Sequence, residues 1–569
     1  MKRILIYLAV LFAVVVLPIS AIAQSLTWHT DQLVASTDQD AFNSRVAISG
    51  SNAVAVWSRF AGTQNGIFAS RSANSGATWS VPVQINFSAR NAANPQVAIS
   101  GSNVVAVWEE DDGSRNRIYA NHSSDGGATW QGAQVIEPVS LSNGREPQVA
   151  VSGNYVVVVW TLDSGLSADI YTNHATFSGS TLPWVPASAT WIETSSEAAR
   201  FSHLAMSGSN VVAVWSQGDG SHDRIYANYS TNAGVTWVGD TLIENTSTLD
   251  GNYPRIAMSG NNVVAVWMAY DSLADLSRIY ANCATFSGTV LTWTPSNTAR
   301  LDNIYPFDGS APQIAISGSN VVAVWNGNDG GTSRVYKAYS TNAGTSWSVD
   351  TLLQTDNTVN AGNSQVAISG SNVVAIWSQA LGGVYRFYAR HSFNSGSSWS
   401  APVLIEDNSG FNGTTSHIAI SGNNAVVAWS QIDTYGFFSI YANYATFSSA
   451  TIIGGAGGGG GGGGCFIATT AFGTPLAGQV DILRKFRDRY LLTNDLGRQF
   501  VAWYYENGPV AASFIQDKPM AKAAVRAALY PLIGFSFLLI NGFMSSVVIG
   551  LLLAGVLYFR FRFKKLVAR

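Results

Sequence analysis

Eight segments of this chain end on a tryptophan after nearly the same run of residues: RVAISGSNAVAVW, QVAISGSNVVAVW, QVAVSGNYVVVVW, HLAMSGSNVVAVW, RIAMSGNNVVAVW, QIAISGSNVVAVW, QVAISGSNVVAIW and HIAISGNNAVVAW. The tryptophans are Trp57, Trp108, Trp160, Trp215, Trp267, Trp325, Trp377 and Trp429, spaced by 51 to 58 residues. A unit of that length cannot bury its own apolar face, so the copies must stack on one another as a propeller or a solenoid.

Within each copy the residues favour strands. Two short β-rich runs flank a Ser-Gly-Ser/Asn-Asn turn, the chemistry of a tight hairpin whose central residues need positive φ. A third run follows, such as RIYANHS at 117–123, and a fourth, such as VPVQI at 81–85, comes after the next tryptophan. Four strands per copy make the blade of a β-propeller. The second strand, NVVAVW, is apolar on both faces, as a sheet sandwiched between neighbours requires. The first uses Ala and Gly, which suits crowding where blades converge on an axis. Composition agrees: only 11% of the 569 residues are charged, with 54 Gly, 18 Trp and 22 Tyr, the profile of an all-β exported protein.

Ring closure is also legible. Copies three and five continue as ATFSGSTLPWVPA (175–187) and ATFSGTVLTWTPS (284–296), whereas copy eight stops at ATFSSA (445–450). The missing piece, SLTWHTDQLV, lies at 25–34, so the amino-terminal strand is expected to complete the last blade with Trp28 as the stand-in. The count expected is eight blades.

Five copies carry a further motif: SANSGATW (72–79), SSDGGATW (123–130), STNAGVTW (230–237), STNAGTSW (340–347) and SFNSGSSW (392–399). This pattern resembles the Asp-box, or BNR repeat, of the sialidase superfamily, and the resemblance covers most of 25–450. It implies a structural turn in which Asn74, Asp125, Asn232, Asn342 and Asn394 accept hydrogen bonds from the turn backbone, Gly allows a tight path and Trp packs between blades. Sialidases resemble one another in an arginine triad for the substrate carboxylate, a Tyr activated by a Glu, and an Asp acid/base. Their early Phe/Tyr-Arg-Ile-Pro motif is absent here; the nearest approaches are Asn43-Ser44-Arg45-Val46 and Tyr253-Pro254-Arg255-Ile256. Sialidase propellers also have six blades. No catalytic residue is assigned on this basis.

The residue that opens each first strand is polar: Arg45, Gln96, Gln148, His203, Arg255, Gln313, Gln365 or His417. By register these should ring one mouth of the central channel, either as a binding site for a sugar or peptide or as plain solvated channel residues. A mouth with clustered Arg and carboxylates would favour an enzyme, one of Gln and His alone a binding protein. The loops after the tryptophans, such as EEDDGSRNR (109–117), lack the ligand spacing of a calcium loop, so no metal is expected. Arg117, Arg224, Arg278 and Arg334 recur too regularly for one active site and are expected in blade-to-blade packing or surface pairing. His122, His174, Tyr229 and Cys283 share one position, which marks it as structural.

The ends of the chain differ from its middle. MKRILIYLAVLFAVVVLPISAIAQ reads as a signal peptide over 1–23, with an uncleaved anchor as the alternative. After the Gly-rich tether at 454–464, residues from CFIATTAFG onward, with LRKFRDRYLLTN (483–494) and FVAWYY, resemble the CFI-box carboxyl-terminal domain of exported prokaryotic proteins. That module is placed at 465–530, with helices expected at 479–492 and 509–528. From 531 to 559 there are 29 residues without a charge, enough for one tilted transmembrane helix. The basic tail at 560–569 is then cytoplasmic. Cys465, between tether and anchor, is either a processing or attachment site or an ordinary small residue.

Residues 465–569 carry 13 Lys and Arg against 5 Asp and Glu; without these and Lys2 and Arg3, the body keeps 16 against 29. An acidic body argues against nucleic acid as partner. The expectation is an all-β, eight-bladed propeller over 24–453, closed by its amino-terminal strand, with a small α-helical carboxyl-terminal module and a transmembrane helix. Its expected role is binding or scaffolding at a prokaryotic envelope, with the membrane and a glycan or protein ligand as partners and no cofactor. The alternative is a sialidase-like exo-glycosidase; a passive passenger of the tail is the third reading.

Overall fold

A computed structural model describes residues 25–448 apart from 36–37, 87–89, 139–141, 166, 247, 303–307, 329–330, 357 and 408–411, together with 525, 529 and 530. The leader (1–23), the tether (454–464), Cys465, almost all of the module at 465–530, the span at 531–559 and the tail at 560–569 lie outside the described residues. Among the described residues no helix is long and apolar enough to cross a membrane.

Gln24–Ser448 form one compact unit, an all-β propeller of eight antiparallel sheets. The innermost strands are Ala41–Ser49, Ala92–Ser100, Asn143–Ser152, Ala199–Ser207, Asp250–Ser259, Asp308–Ser317, Ala361–Ser369 and Gly413–Ser421. Blade 8 is completed from the amino terminus, as expected: Ser25–Trp28 pair with the end of Phe438–Ser448, Ser25 opposite Ser448 and Trp28 opposite Ala445, and Gln32–Leu33 add to the same strand. Joining the two ends of the unit in one sheet leaves no open blade edge at the seam.

The hairpins joining first to second strands differ from expectation in one detail. Gly50 has φ 60°, but Ser51 is not left-handed, and the same holds in every blade. Only the first central residue needs positive φ, as in a type II′ turn, so glycine is required there while Ser or Asn suffices next. These turns also tie the ring together. Gly101 N donates to Ser49 Oγ at 2.9 Å, Gly153 N to Ser100 Oγ at 3.0 Å, and Gly50 N to Ser421 Oγ at 2.9 Å, the last crossing from blade 8 to blade 1.

The core lies between blades. All eight second-strand tryptophans are essentially inaccessible. Trp108, for example, packs with Val54, Val56 and Ile67 of the preceding blade and stacks on Tyr119 of its own, ring centroids 6.4 Å apart. Burying an aromatic side chain of this size contributes on the order of 3 kcal/mol. Three of the repeated arginines pair within their own blades, and Arg224 also makes the expected surface pairing, with the loop residue Asp219 at 3.0 Å. Arg117, Arg224 and Arg386 are buried and meet Glu137, Glu244 and Glu406, each twenty residues further along its own blade. Arg278 approaches Asp302 at 4.0 Å.

Candidate functional site

The motif shared by five blades forms the expected kind of turn. Asn74 Oδ1 accepts from Thr78 N at 2.9 Å, and Ser72 Oγ accepts from Gly76 N at 2.8 Å. Asp125, Asn232, Asn342 and Asn394 accept from Thr129, Thr236, Ser346 and Ser398 N at 2.9 to 3.0 Å. Asn replaces Asp without loss because the hydroxyl bond reverses: Asn74 Nδ2 donates to Thr78 Oγ1, whereas Thr129 Oγ1 donates to Asp125. Gly76, at φ 95°, lies so close to the preceding blade that a Cβ would stand 2.9 Å from Tyr444 Cβ. These turns space the blades and hold no reacting group.

The eight polar residues of the first strands are all half-buried, as are nearly all positions two and four residues further on. In blade 1 these are Arg45, Ala47 and Ser49, and in blade 5 Arg255, Ala257 and Ser259, while Val46, Ile48 and Ile256 turn between blades. The channel is thus lined by a polar ring, then a ring of alanines, then a ring of serines.

Above the polar ring each first strand carries a bulge, marked by a register shift such as that between Asn252 and Arg255. The bulge places a non-glycine residue at positive φ two positions before the polar one: Asn43, Asn94, Glu146, Phe201, Tyr253, Ala311, Asn363 and Thr415, at φ 39° to 59°. Asn tolerates this conformation, but for Glu, Phe and Tyr it costs about 1 to 2 kcal/mol each. The fold therefore imposes a second ring of side chains around the mouth.

Residues of both rings enclose a cavity of about 290 Å³ on blades 1 to 5. Arg45, Gln96, Gln148 and Arg255 line it from the polar ring, and Asn43, Asn94, Glu146, Phe201 and Tyr253 from the bulges. Gln313 joins Arg255 and Tyr253 in an adjoining cavity of about 260 Å³. Gln365 lines neither cavity, while His203 and His417 lie within electrostatic reach of Arg255 and Arg45. The sequence reading missed the bulge ring, although each member stands two places before the polar residue with Ser or Pro between them.

Tyr253 is 45% exposed and packs on Phe201, centroids 4.3 Å apart, as an aromatic shelf at the rim. Beside it, buried Glu109 accepts from Asn94 Nδ2 at 2.9 Å and from Glu146 N at 2.8 Å, pinning two bulges. Partial burial, which strips water from the charged form, and then the charge of Glu109 raise the Glu146 carboxyl above its usual range, against the pull of Arg255. Glu146 still reaches solvent, so water screens part of that effect.

The polar ring is tightly coupled. Burial, then Arg255, pushes Arg45 down to about 10. His203 is pushed down to about 3 by burial, then by Arg255 and His417. His417 is likewise pushed down to about 3, by burial and then Arg45, against a hydrogen bond to Val46 O. Both imidazoles are therefore neutral at ordinary pH, and the ring carries its charge on the two arginines. Among the described residues no three His, Cys, Asp or Glu side chains gather as a metal site.

No family model and no curated protein matches the chain. Among solved structures it is similar to the polysaccharide lyase Uly1, at 8% identity and TM-score 0.39 over 71% of this chain and 89% of that one. It is also similar to Trypanosoma rangeli sialidase with the inhibitor DANA, at 14% identity and TM-score 0.34 over 62% of this chain and 54% of that one. The β-propeller domain of the trilobed protease from Pyrococcus furiosus aligns at 7% identity and TM-score 0.37, over 65% of this chain and 96% of that one. Likenesses this distant assign no activity, and the eight-bladed ring rests on the strand pairing itself.

Proposed function

We propose that this protein is an exported, membrane-tethered propeller that binds glycan at the channel mouth on blades 1 to 5. The observation that carries the reading is the Tyr253–Phe201 shelf, held at positive φ beside a cavity lined by Asn43, Asn94, Gln96, Gln148 and Glu146. An aromatic face accepts the apolar C–H side of a pyranose, and planar amide and carboxylate groups around it bond the hydroxyls. The leader at 1–23 exports the propeller, the tether at 454–464 gives it reach, and the charge-free segment at 531–559 anchors it with 560–569 in the cytoplasm. Residues 465–530 are the CFI-box-like module, with Cys465 as its processing or attachment site.

The test is binding of the purified full-length chain to an oligosaccharide array. Tyr253→Ala should weaken each hit about tenfold, the loss of one stacking contact, without lowering Tm. Unchanged binding in that variant, or an array without hits, would remove the reading.

A second reading, exo-glycosidase action of the sialidase type, meets the criterion drawn from the sequence, since Arg45, Arg255 and Glu146 do cluster at the mouth, and the Glu146 carboxyl is raised. It ranks lower because Glu109, the neighbouring carboxylate, is committed to Asn94 and the Glu146 backbone. Fluorophore release from a sialoside, abolished by Glu146→Gln, would reverse the ranking.

A further inference from the structure

Read in blade order, the polar ring is Arg45, Gln96, Gln148, His203, Arg255, Gln313, Gln365, His417: the four-residue sequence Arg-Gln-Gln-His, twice. In an eight-bladed ring, residues four blades apart face each other across the axis. The ring therefore has twofold symmetry in its chemistry, Arg45 opposite Arg255 and His203 opposite His417. The electrostatics fit this arrangement: Arg45 feels Arg255, His203 feels Arg255 and His417, and His417 feels Arg45.

Neither arginine has a carboxylate partner within ion-pair distance among the described residues. Arg45 donates to Gln96 Oε1 at 3.3 Å and to the Ser44 carbonyl at 3.0 Å, and Arg255 to the Pro254 carbonyl at 3.1 Å. These bonds leave most of the ten guanidinium N–H donors free. Among the described residues Glu146, in the bulge ring, is the carboxylate that offsets Arg255, and none offsets Arg45. Elsewhere the chain treats arginine differently: Arg117, Arg224 and Arg386 are each paired with a buried glutamate. Two like charges held across a confined channel repel, and Gln96 and Gln148, which line the same cavity, can turn further N–H groups toward it. A ring rich in donors, with two positive charges against the single carboxylate of Glu146 at its rim, is complementary to an anion.

We propose that the channel seats a small free dianion, of the sulfate, hydrogen phosphate or short dicarboxylate class, on the axis between Arg45 and Arg255. The cavity of about 290 Å³ that both arginines line has room for it beneath the aromatic shelf. The ion shares its cavity with the glycan proposed above, but the two need different residues: the arginines hold the ion and the aromatic shelf holds the sugar. An anion there would replace the mutual repulsion of the two guanidinium groups with attraction to a shared ligand. The bound ion would thus stiffen the closed ring of blades.

The test is calorimetric titration of the full-length chain with sodium sulfate, then hydrogen phosphate and succinate, in a chloride-free buffer, with Tm followed in parallel. Saturable binding at one ion per chain is expected, with a rise in Tm. Arg45→Gln and Arg255→Gln should each weaken it at least about tenfold, as loss of a charge-assisted pair does. Gln already holds this position in blades 2, 3, 6 and 7, so both variants have a residue the ring accepts. Without the ion they should melt at or above the wild-type temperature, because the repulsion is gone. Tyr253→Ala should bind sulfate as wild type does. The proposal is overturned if none of the three ions binds saturably or if both Arg→Gln variants keep wild-type affinity. It is also overturned if only an anionic oligosaccharide binds, since the charge would then belong to the glycan.

Discussion

The two ends of the same eight inner strands obey different rules. At the hairpin end every blade is alike: Ser49 and its seven counterparts line the channel, and glycine at φ near 60° turns the chain. At the bulge end the backbone repeats just as faithfully, yet its side chains run through Asn, Glu, Phe, Tyr, Ala and Thr. Identical geometry with identical residues reflects a requirement of the fold. Identical geometry with divergent residues, some of them costly at positive φ, marks a surface that the fold leaves free. The cavity, the aromatic shelf and the two unpaired arginines all lie at the divergent end.

The comparison breaks if the uniform framework proves dispensable. Trp267 is fully buried among Val212, Val214 and Ile256, so Trp267→Ala should cost about 3 to 5 kcal/mol. A melting curve should show a large drop in Tm, while Tyr253→Ala leaves Tm in place. If the two variants melt alike, the division between framework and mouth is wrong.

An intermediate effect is expected in blade 3, where the buried arginine of other blades is replaced by Asp169 beside Glu193. Burial, with Asp169 adding to it, pushes the Glu193 carboxyl up to about 7. The folded state then holds a proton that the unfolded chain has released, so this group's favourable contribution is present below about pH 4.5 and lost as pH rises to about 7. Glu193→Gln should flatten that decline and raise stability at pH 8 by about 1 to 3 kcal/mol. Tm measured from pH 5 to pH 8 for both forms would check it. A variant that declines with pH as steeply as wild type would show that Glu193 does not titrate there.

The smallest effect sharpens the comparison at the bulges. Ala311 is exposed at φ 49°, where glycine is at ease. Ala311→Gly should therefore stabilise by about 0.5 to 1 kcal/mol, whereas Gly50→Ala at the hairpin end should destabilise by a similar amount. Denaturant midpoints of the two variants should move in opposite directions. Movement in the same direction would mean that φ is not the controlling quantity.

Periodicity is why so much of the framework was legible. The recurrence of Trp57 to Trp429, the paired strands before each and the unfinished last copy define eight blades and their closure by 25–34, because local pattern and strand chemistry repeat in register with the chain. The polar ring could be named for the same reason. Other features depend on neighbours that are distant in sequence. Arg117 was expected at a surface or between blades because nothing local shows that Glu137 folds back onto it. The bulge escaped notice because a left-handed residue in a strand has no distinctive composition when its occupants range from Asn43 to Phe201.

By itself, then, the sequence determined an all-β ring of eight repeats, since a fifty-residue amphipathic unit that cannot bury its own surface has few ways to stack. Only the tertiary structure decided which side chains share a cavity. Arg45, Gln96, Glu146 and Tyr253 span more than two hundred residues of chain, and they meet because each blade turns its first strand toward one axis and shifts its register at one bulge.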